Sequence, residues 1–423
     1  MENRRKSFLE QVTNQIRSNE AKKYVSDELT HHVKEAKKVW LNKGFSDEEA
    51  EQNAIEQMGS PVILGMKLNK IHRPRIDWML IMLMGVILLV GFLPLFTPGY
   101  WNNTNFLTRK AVFIILGMTV TLGLMVVDYR KFMKMGWLFY GLGTGLLLSL
   151  CFFSNATING ISVIIIGPLT LESLFALPFF LAAWASFFNQ NTFKVWHFVL
   201  LFLLSLLVFI QIPSLSTTYL YFAMVMCMLW WSKFSTRQKA VVSGITVSSL
   251  ILTGILTWHY QSYYIKERII GFLQPEKVAE GSGYQVLHIH ELMTKAKWFG
   301  GSKRIQEFIP EAHTNLVFVN ITYHFGWIAA IIIVLILSLV IARMIMVTQQ
   351  VRDSFGKLLI IGGISLYLSQ VGSNIGMALG FFPLTSMSLP FISYGLMPIL
   401  LNSILLGIVL SVYRRKNFIY CYK

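Results

Sequence analysis

Charge is scarce in this chain of 423 residues: Asp, Glu, Lys and Arg make up 14% of it, against roughly 25% in an average soluble domain. With 54% hydrophobic residues and a mean hydropathy of +0.55, that scarcity excludes an ordinary water-soluble globule and makes lipid the expected solvent for most of the chain. Cysteine is nearly missing too. Cys151, Cys227 and Cys421 have no paired spacing and two of them lie in apolar runs, which excludes a disulfide framework and a zinc site, so no metal-binding side chains are expected. Ionisable residues are almost absent from the apolar runs. That absence removes the intramembrane carboxylates and histidines on which proton-coupled pumps and many ion transporters depend. Met1 to Glu20 holds no apolar stretch, so a cleavable signal peptide is not expected there.

What is present is a series of apolar runs, each long enough to cross a bilayer at about 20 residues. They cover 77–96, 110–128, 135–153, 165–188, 194–211, 214–232, 239–259, 315–342, 356–380 and 391–413. The expected fold is therefore all-α, a polytopic membrane protein with about ten transmembrane helices behind a small soluble helical domain. Residues 1–75 form that amino-terminal prefix, 76–416 the membrane domain with one long loop at 260–314, and 417–423 a tail. The formal charge of +16 sits at the ends of the apolar runs, which points to anionic membrane lipid and away from nucleic acid. Arg130, Lys131, Lys134, Lys194, Lys233, Arg237, Lys239, Arg352, Lys357 and Arg414 to Lys416 all fall in alternate connections, whereas 154–164, 211–214 and 381–390 carry no Lys or Arg. By the positive-inside rule both termini are cytoplasmic and the long loop is external.

The prefix reads as helices at 5–16, 19–43, 46–58 and 61–71. Gly44 closes the second in a left-handed cap, Ser46 with Glu49 makes a capping box for the third, and Gly59-Ser60-Pro61 breaks and restarts the chain. Val33, Ala36 and Trp40 share one face, as do Ala50, Ala54 and Met58. His31-His32 admits a metal reading and a solvated-face reading.

Chemistry needs polar groups, and these gather in few places. Glu172 is the main ionisable residue within the spans; Pro168 before it indicates an interrupted or re-entrant segment near the outer surface, where the carboxylate is either functional or merely solvated. The long loop carries Glu267, Arg268, Gln285, His288, His290, Lys295, Lys297, Lys303, Arg304, Glu307, Glu311 and His313 among aromatics and prolines. Cations suit a phosphorylated ligand and carboxylates suit acid–base work, while a solvated surface loop would hold the same residues. Gln370, Ser373 and Asn374 form a polar island in the ninth run, followed by the proline- and glycine-rich 383–395. Such backbone must be shielded by protein or line a cavity.

Pro383-Leu-Thr-Ser-Met-Ser-Leu-Pro390-Phe-Ile-Ser393-Tyr394-Gly395, followed by a basic tail, resembles the carboxy-terminal signature of the shape, elongation, division and sporulation family, the FtsW/RodA/SpoVE group. Pro310-Glu311-Ala312-His313-Thr314-Asn315 resembles that family's loop motif, and Arg268, Pro275 and Gly283-Tyr284-Gln285 fall where its external loop has similar residues. The resemblance implies ten spans in the bacterial cell membrane and a peptidoglycan glycosyltransferase acting on lipid-linked disaccharide at the outer face, paired with a class B penicillin-binding protein. It implies substrate contacts from Arg268, Gln285, His313, Thr314, Ser393, Tyr394 and Gly395. It also implies cations on the leaving pyrophosphate, from side chains or a divalent metal. The prefix lies outside this resemblance, and His32 through Gly59 to Pro61 is similar to a helical segment preceding some Gram-positive permease-like proteins.

The sequence departs from the family where the base should be. The family's essential Asp is Asn315 here, and an amide orients a hydroxyl without taking its proton; loss of such a base costs about 10² to 10⁴ in rate. Glu311, four residues earlier, is the nearest replacement. The family's Pro-Asp-Leu-Gly-Thr reads Pro213-Ser214-Leu215-Ser216-Thr217, its Arg-Trp is missing around Gly160 to Ile166, and its Gly-Gly-Ser-Ser reads Gly395-Leu396-Met397-Pro398. Three functions are consistent with this pattern: a precursor-binding polymerase, an inactive relative that binds or regulates a cell-wall synthase, and a lipid-precursor flippase or transporter. The loop charges make a direct prediction. A cysteine at Ser282 should react with an impermeant thiol reagent outside intact cells and one at Ser235 should not; the opposite labelling would invert the topology.

Overall fold

A computed structural model describes residues 2–97, 104–158, 161–167, 169–212, 214–260, 269–300, 309 and 311–417. The chain divides into two compact units. The first comprises 1–77, 350–353 and 412–423. Its helices are α1 (Glu2–Asn14), α2 (Asn19–Asn42), α3 (Asp47–Gln57) and α4 (Pro61–Ile71). Phe8, Val12, Ile16, Ala21, Val25 and Leu29 build its core, with Ile55, Met58, Leu64 and Leu68 packed against them. Local chemistry sets the helix ends. Gly44 takes φ +89 after α2, and the Ser46–Glu49 capping box starts α3, the Ser46 hydroxyl accepting from the Glu49 N–H while the Glu49 carboxylate accepts from the Ser46 N–H. The carboxy-terminal segment belongs to this unit: Arg415, 1% exposed, donates to the Glu20 carboxylate at 2.7 Å.

The second unit, 78–349 and 354–411, is built from apolar helices. In chain order they are α5 (Trp78–Val90), α6 (Thr104–Val126), α7 (Gly136–Phe153), α8 (Ala176–Asn189), α9 (Val195–Gln211), α10 (Leu215–Trp230) and α11 (Thr236–Tyr260). After these come α12 (Tyr284–Lys295), α13 (Val317–Phe325), α14 (Trp327–Gln350), α15 (Ser354–Ala378) and α16 (Leu396–Arg414). Among the described residues six helical segments are long and apolar enough to cross a membrane, and three shorter apolar ones accompany them. Large apolar side chains such as Leu89, Ile115, Leu200 and Ile255 are exposed, as a lipid-facing surface requires. Helix α15 is central. Buried residues make up 72% of its apolar window, against 22% for α6, and it packs on α8 and α10.

Three of the expected spans need correction. The fourth, read as 165–188, begins instead as a small antiparallel sheet: β1 (Ala156–Ile158), β2 (Ile161–Ile166) and β3 (Leu169–Leu171) in the order 1-2-3, with helix only from Ser173. The β-branched run Ile164-Ile165-Ile166 favours strand, and Gly167 turns it back at φ +59. The eighth, read as one helix from 315 to 342, is broken at Gly326, whose φ is +91. A Cβ there would lie 2.5 Å from the Trp298 carbonyl; the 297–298 backbone occupies that space and accepts from the Trp327 and Ile328 N–H groups. The tenth starts at Leu396 rather than 391, because Phe391 takes a left-handed φ of +62.

Close helix packing relies on small residues. Gly117 of α6 faces Ser403 of α16, and the Thr121 hydroxyl donates to the Ser403 carbonyl at 3.0 Å. Gly362 of α15 leaves room for Leu181 and Met228, which a Cβ would approach to 2.3 and 2.7 Å. Gly362→Val should therefore overpack this contact by about 1–3 kcal/mol and lower the thermal midpoint of the detergent-purified protein. Gly372→Val, where a Cβ meets nothing within 4 Å, should leave it unchanged; equal melting of the two variants would contradict the packing.

Candidate functional site

Two strained segments meet at the carboxyl side of the second unit. In the first, Glu311 takes φ +54 and the N–H groups of Thr314 and Leu316 both donate to its carbonyl, at 3.0 and 3.2 Å. The resulting turn holds His313, Thr314 and Asn315 just before α13. In the second, the Leu389 N–H donates to the Ser393 hydroxyl at 2.8 Å and the Ser393 N–H to the Leu389 carbonyl at 3.1 Å. The two turns are joined directly. Ser393 Oγ donates to the Thr314 carbonyl at 2.6 Å and the Tyr394 N–H to the His313 carbonyl at 2.7 Å. From below, Asn374 of α15 donates to the carbonyls of Asn315 (2.8 Å) and Met387 (2.6 Å).

The buried side chain that fixes the second turn is Lys110 of α6. It is 0% exposed, and its ammonium donates to the carbonyls of Phe391, Ile392 and Ser393 at 3.3, 2.9 and 2.8 Å. Those oxygens cannot serve a helix while the backbone is left-handed at Phe391, so the cation replaces the missing N–H donors. Phe106, one turn before Lys110, completes an aromatic triangle with His313 and Tyr394 at centroid separations of 5.2 to 5.6 Å.

These turns form one wall of a cavity of about 400 Å³. His313, Thr314, Asn315, Tyr394 and Gly395 line it together with Arg109, Glu172, Thr170 and Ser173, and with Ser214, Ser216 and Thr217 at the start of α10. The Ser173 hydroxyl donates to Thr217 at 3.0 Å, and Ser214 shares a 2.8 Å bond with the same hydroxyl. Arg109 hydrogen-bonds the Tyr394 phenol. Glu172 is the carboxylate in the lining. It stands between β3 and the following helix, at the N-cap position but without a capping hydrogen bond from its side chain, and burial pushes its carboxyl above the ordinary range. Burial likewise pushes the His313 imidazole down, Glu311 opposing and Lys110 reinforcing, so His313 is neutral at pH 7 and available as a hydrogen-bond donor and acceptor.

The residues singled out from the sequence are distributed unevenly. His313, Thr314, Asn315, Tyr394 and Gly395 meet in the cavity, and Ser393 lies buried behind it. Glu311 sits outside the lining, where its carboxylate accepts from the Asn315 amide. Gln285 belongs to the first turn of α12 and is not part of the lining; Arg268 lies outside the described residues. Arg109 and Lys110 went unnoticed because they flank an apolar run, where Lys and Arg usually mark only a span end. Their signal was a misfit: they precede the second run on the side whose other short loops carry no cation. Among the described residues the lining offers no carboxylate apart from Glu172, and no three His, Cys, Asp or Glu side chains converge.

The FtsW/RodA/SpoVE family described as cell cycle protein matches residues 72–418. A probable peptidoglycan glycosyltransferase FtsW of Saccharophagus degradans is 25% identical over 370 residues, spanning 80% of this chain and 92% of that one. The peptidoglycan glycosyltransferase MrdB of Escherichia coli K12 is 28% identical over 226 residues, 52% of this chain and 60% of that one. Among solved structures, a chain of a peptidoglycan synthase complex that coordinates polymerization and crosslinking superposes with a TM-score of 0.69 at 23% identity, covering 81% of this chain and 98% of that chain. The rod shape determining protein RodA of Thermus thermophilus superposes with a TM-score of 0.60 at 21% identity, covering 81% and 97%. With the fold matched over nearly the whole of these chains and the family matched over 72–418, this polytopic helical membrane protein belongs to the FtsW/RodA/SpoVE family of cell cycle proteins.

Proposed function

We propose that this protein acts in bacterial cell-wall synthesis by binding a lipid-linked disaccharide pyrophosphate in the cavity between Arg109, Glu172 and the 313–315 turn, and that it polymerises that precursor. The observation that carries the reading is the joint lining of one cavity by a guanidinium, a carboxylate and the two family motifs. In the reaction a sugar hydroxyl attacks an anomeric carbon, the bond to the pyrophosphate breaks, and the hydroxyl proton needs an acceptor. Arg109 supplies fixed positive charge for the departing pyrophosphate. The Asn315 amide orients the hydroxyl, and the Glu172 carboxylate takes the proton. The external placement of the cavity follows from the loop charges, with both termini cytoplasmic, and a class B penicillin-binding protein is the partner that would crosslink the product.

Asn315 itself favours a second reading. With an amide in place of the family's acid, the same cavity serves a protein that holds the precursor and regulates a partner synthase without polymerising.

Purified protein given lipid-linked disaccharide separates the two readings. Glu172→Gln should lower glycan formation by about 10² to 10⁴ while a fluorescent precursor analogue still binds, and Arg109→Ala should weaken that binding. Because the acceptor must be ionised and burial raises the Glu172 pKa, the rate should climb as pH rises through that raised value. Asn315→Asp adds a carboxylate at the family position and should raise the rate further. Loss of activity in Glu311→Gln with Glu172→Gln unaffected would move the base to Glu311. Precursor binding without glycan from any variant establishes the regulatory reading, and absence of binding overturns both.

A further inference from the structure

A second cavity, of about 450 Å³, lies within the first unit. Its lining brings together four cations from three separate parts of the chain: Lys70 and Arg75 from the end of α4 and the segment after it, Arg352 from the α14–α15 connection, and Lys416 from the segment after α16. Among the described residues no carboxylate is in the lining. Residues 58–76 and 412–423 hold no Asp or Glu at all, and the acids nearest in sequence are Asp77 and Asp353. Lys416 is braced from two sides, donating to the Gln350 amide oxygen and lying 3.8 Å from the centroid of the Tyr413 ring. Four like charges facing one cavity repel one another, and an anion relieves that repulsion.

Sequence distance says where such an anion resides. Arg75 precedes the first span residue, Trp78, by three positions; Arg352 lies two positions from both Gln350 and Ser354; Lys416 follows Arg414 by two. At about 3.3–3.6 Å per residue, Arg75, Arg352 and Lys416 are each within about 11 Å of the end of a membrane span. A bilayer's polar layer is roughly 5–8 Å deep on each side of its hydrocarbon. Covalent reach therefore keeps these three at or just beyond headgroup level, and Lys70 joins them through the shared lining. Helix α4 has the matching apolar character: Val62, Ile63 and Met66 are 41%, 57% and 58% exposed, and Lys67 and Lys70 follow on the adjoining part of the same helix. Exposed apolar side chains beside lysines are the pattern of a helix lying in a membrane interface.

We infer that Lys70, Arg75, Arg352 and Lys416 form a binding site for the phosphate headgroup of an anionic membrane lipid, on the membrane face that carries both termini. The site ties the amino-terminal helices, the α14–α15 connection and the carboxy-terminal segment to one lipid, independently of the chemistry in the other cavity.

The test uses full-length protein in nanodiscs of phosphatidylcholine with increasing phosphatidylglycerol, the retained lipid being counted by native mass spectrometry after release. Wild type should retain phosphatidylglycerol in preference to phosphatidylcholine. Arg75→Gln/Arg352→Gln should reduce that preference about 30-fold, the loss of two cations at about 1 kcal/mol each. Arg75→Lys/Arg352→Lys, which keeps the charge, should retain most of it and so separates lost binding from lost folding. Lys34→Gln/Lys38→Gln, an equal charge change on α2, should leave it intact. No preference in wild type, or equal loss in the Lys34/Lys38 variant, overturns the site. Displacement of the lipid by millimolar inorganic phosphate would overturn the lipid assignment in favour of a soluble phosphate.

Discussion

A buried ammonium organises the candidate site. Lys110 enters the bundle from α6 and gives its protons to three successive carbonyls, Phe391 to Ser393. A cation removed from water costs several kcal/mol unless its protons find acceptors, and three carbonyls on one turn satisfy it. The arrangement works in both directions, since those carbonyls face a left-handed residue and have no helical N–H to accept from. From this turn the geometry propagates: Ser393 and Tyr394 hold Thr314 and His313, and these place Asn315 at the cavity.

The cavity that results sets hydroxyls, amides and a guanidinium around Glu172. Hydroxyls stand at the start of α10, where Thr217 bonds to both Ser214 and Ser173, and an amide stands at 315. Glu172 then stands as the carboxylate of the lining, in a setting poor enough in water to raise its pKa. A carboxyl of raised pKa is a stronger base once ionised than an exposed one. Arg109 places a guanidinium in the same lining.

The family match begins at residue 72, so helices α1 to α4 are an addition to the common architecture. They are nevertheless bound to the shared part of the chain, since Glu20 receives Arg415 and the Arg75 N–H donates to the Arg414 carbonyl at 3.3 Å. A buried guanidinium with a carboxylate partner is costly to break, so the carboxy-terminal segment and the added helices order one another.

Much of the fold was legible from one dimension. Hydrophobic run length located most spans, because a bilayer imposes a fixed length on a helix whatever its neighbours. The prefix helices were readable to within about three residues from Gly44, Ser46 with Glu49 and Pro61, because capping is decided by residues adjacent in sequence. The motifs around Asn315 and Tyr394 were visible for the same reason. What the tertiary structure decided was everything that depends on contacts between distant segments. The break at Gly326 needs the 297–298 backbone beside it, and the late start of α16 needs Lys110, some 280 positions away. Arg109 and Glu172 became members of one site only when α6 and the small sheet were brought beside the 313–315 turn. Spans and caps follow from local periodicity and local hydrogen bonding, whereas a cavity is a relation between segments that no single stretch of sequence contains.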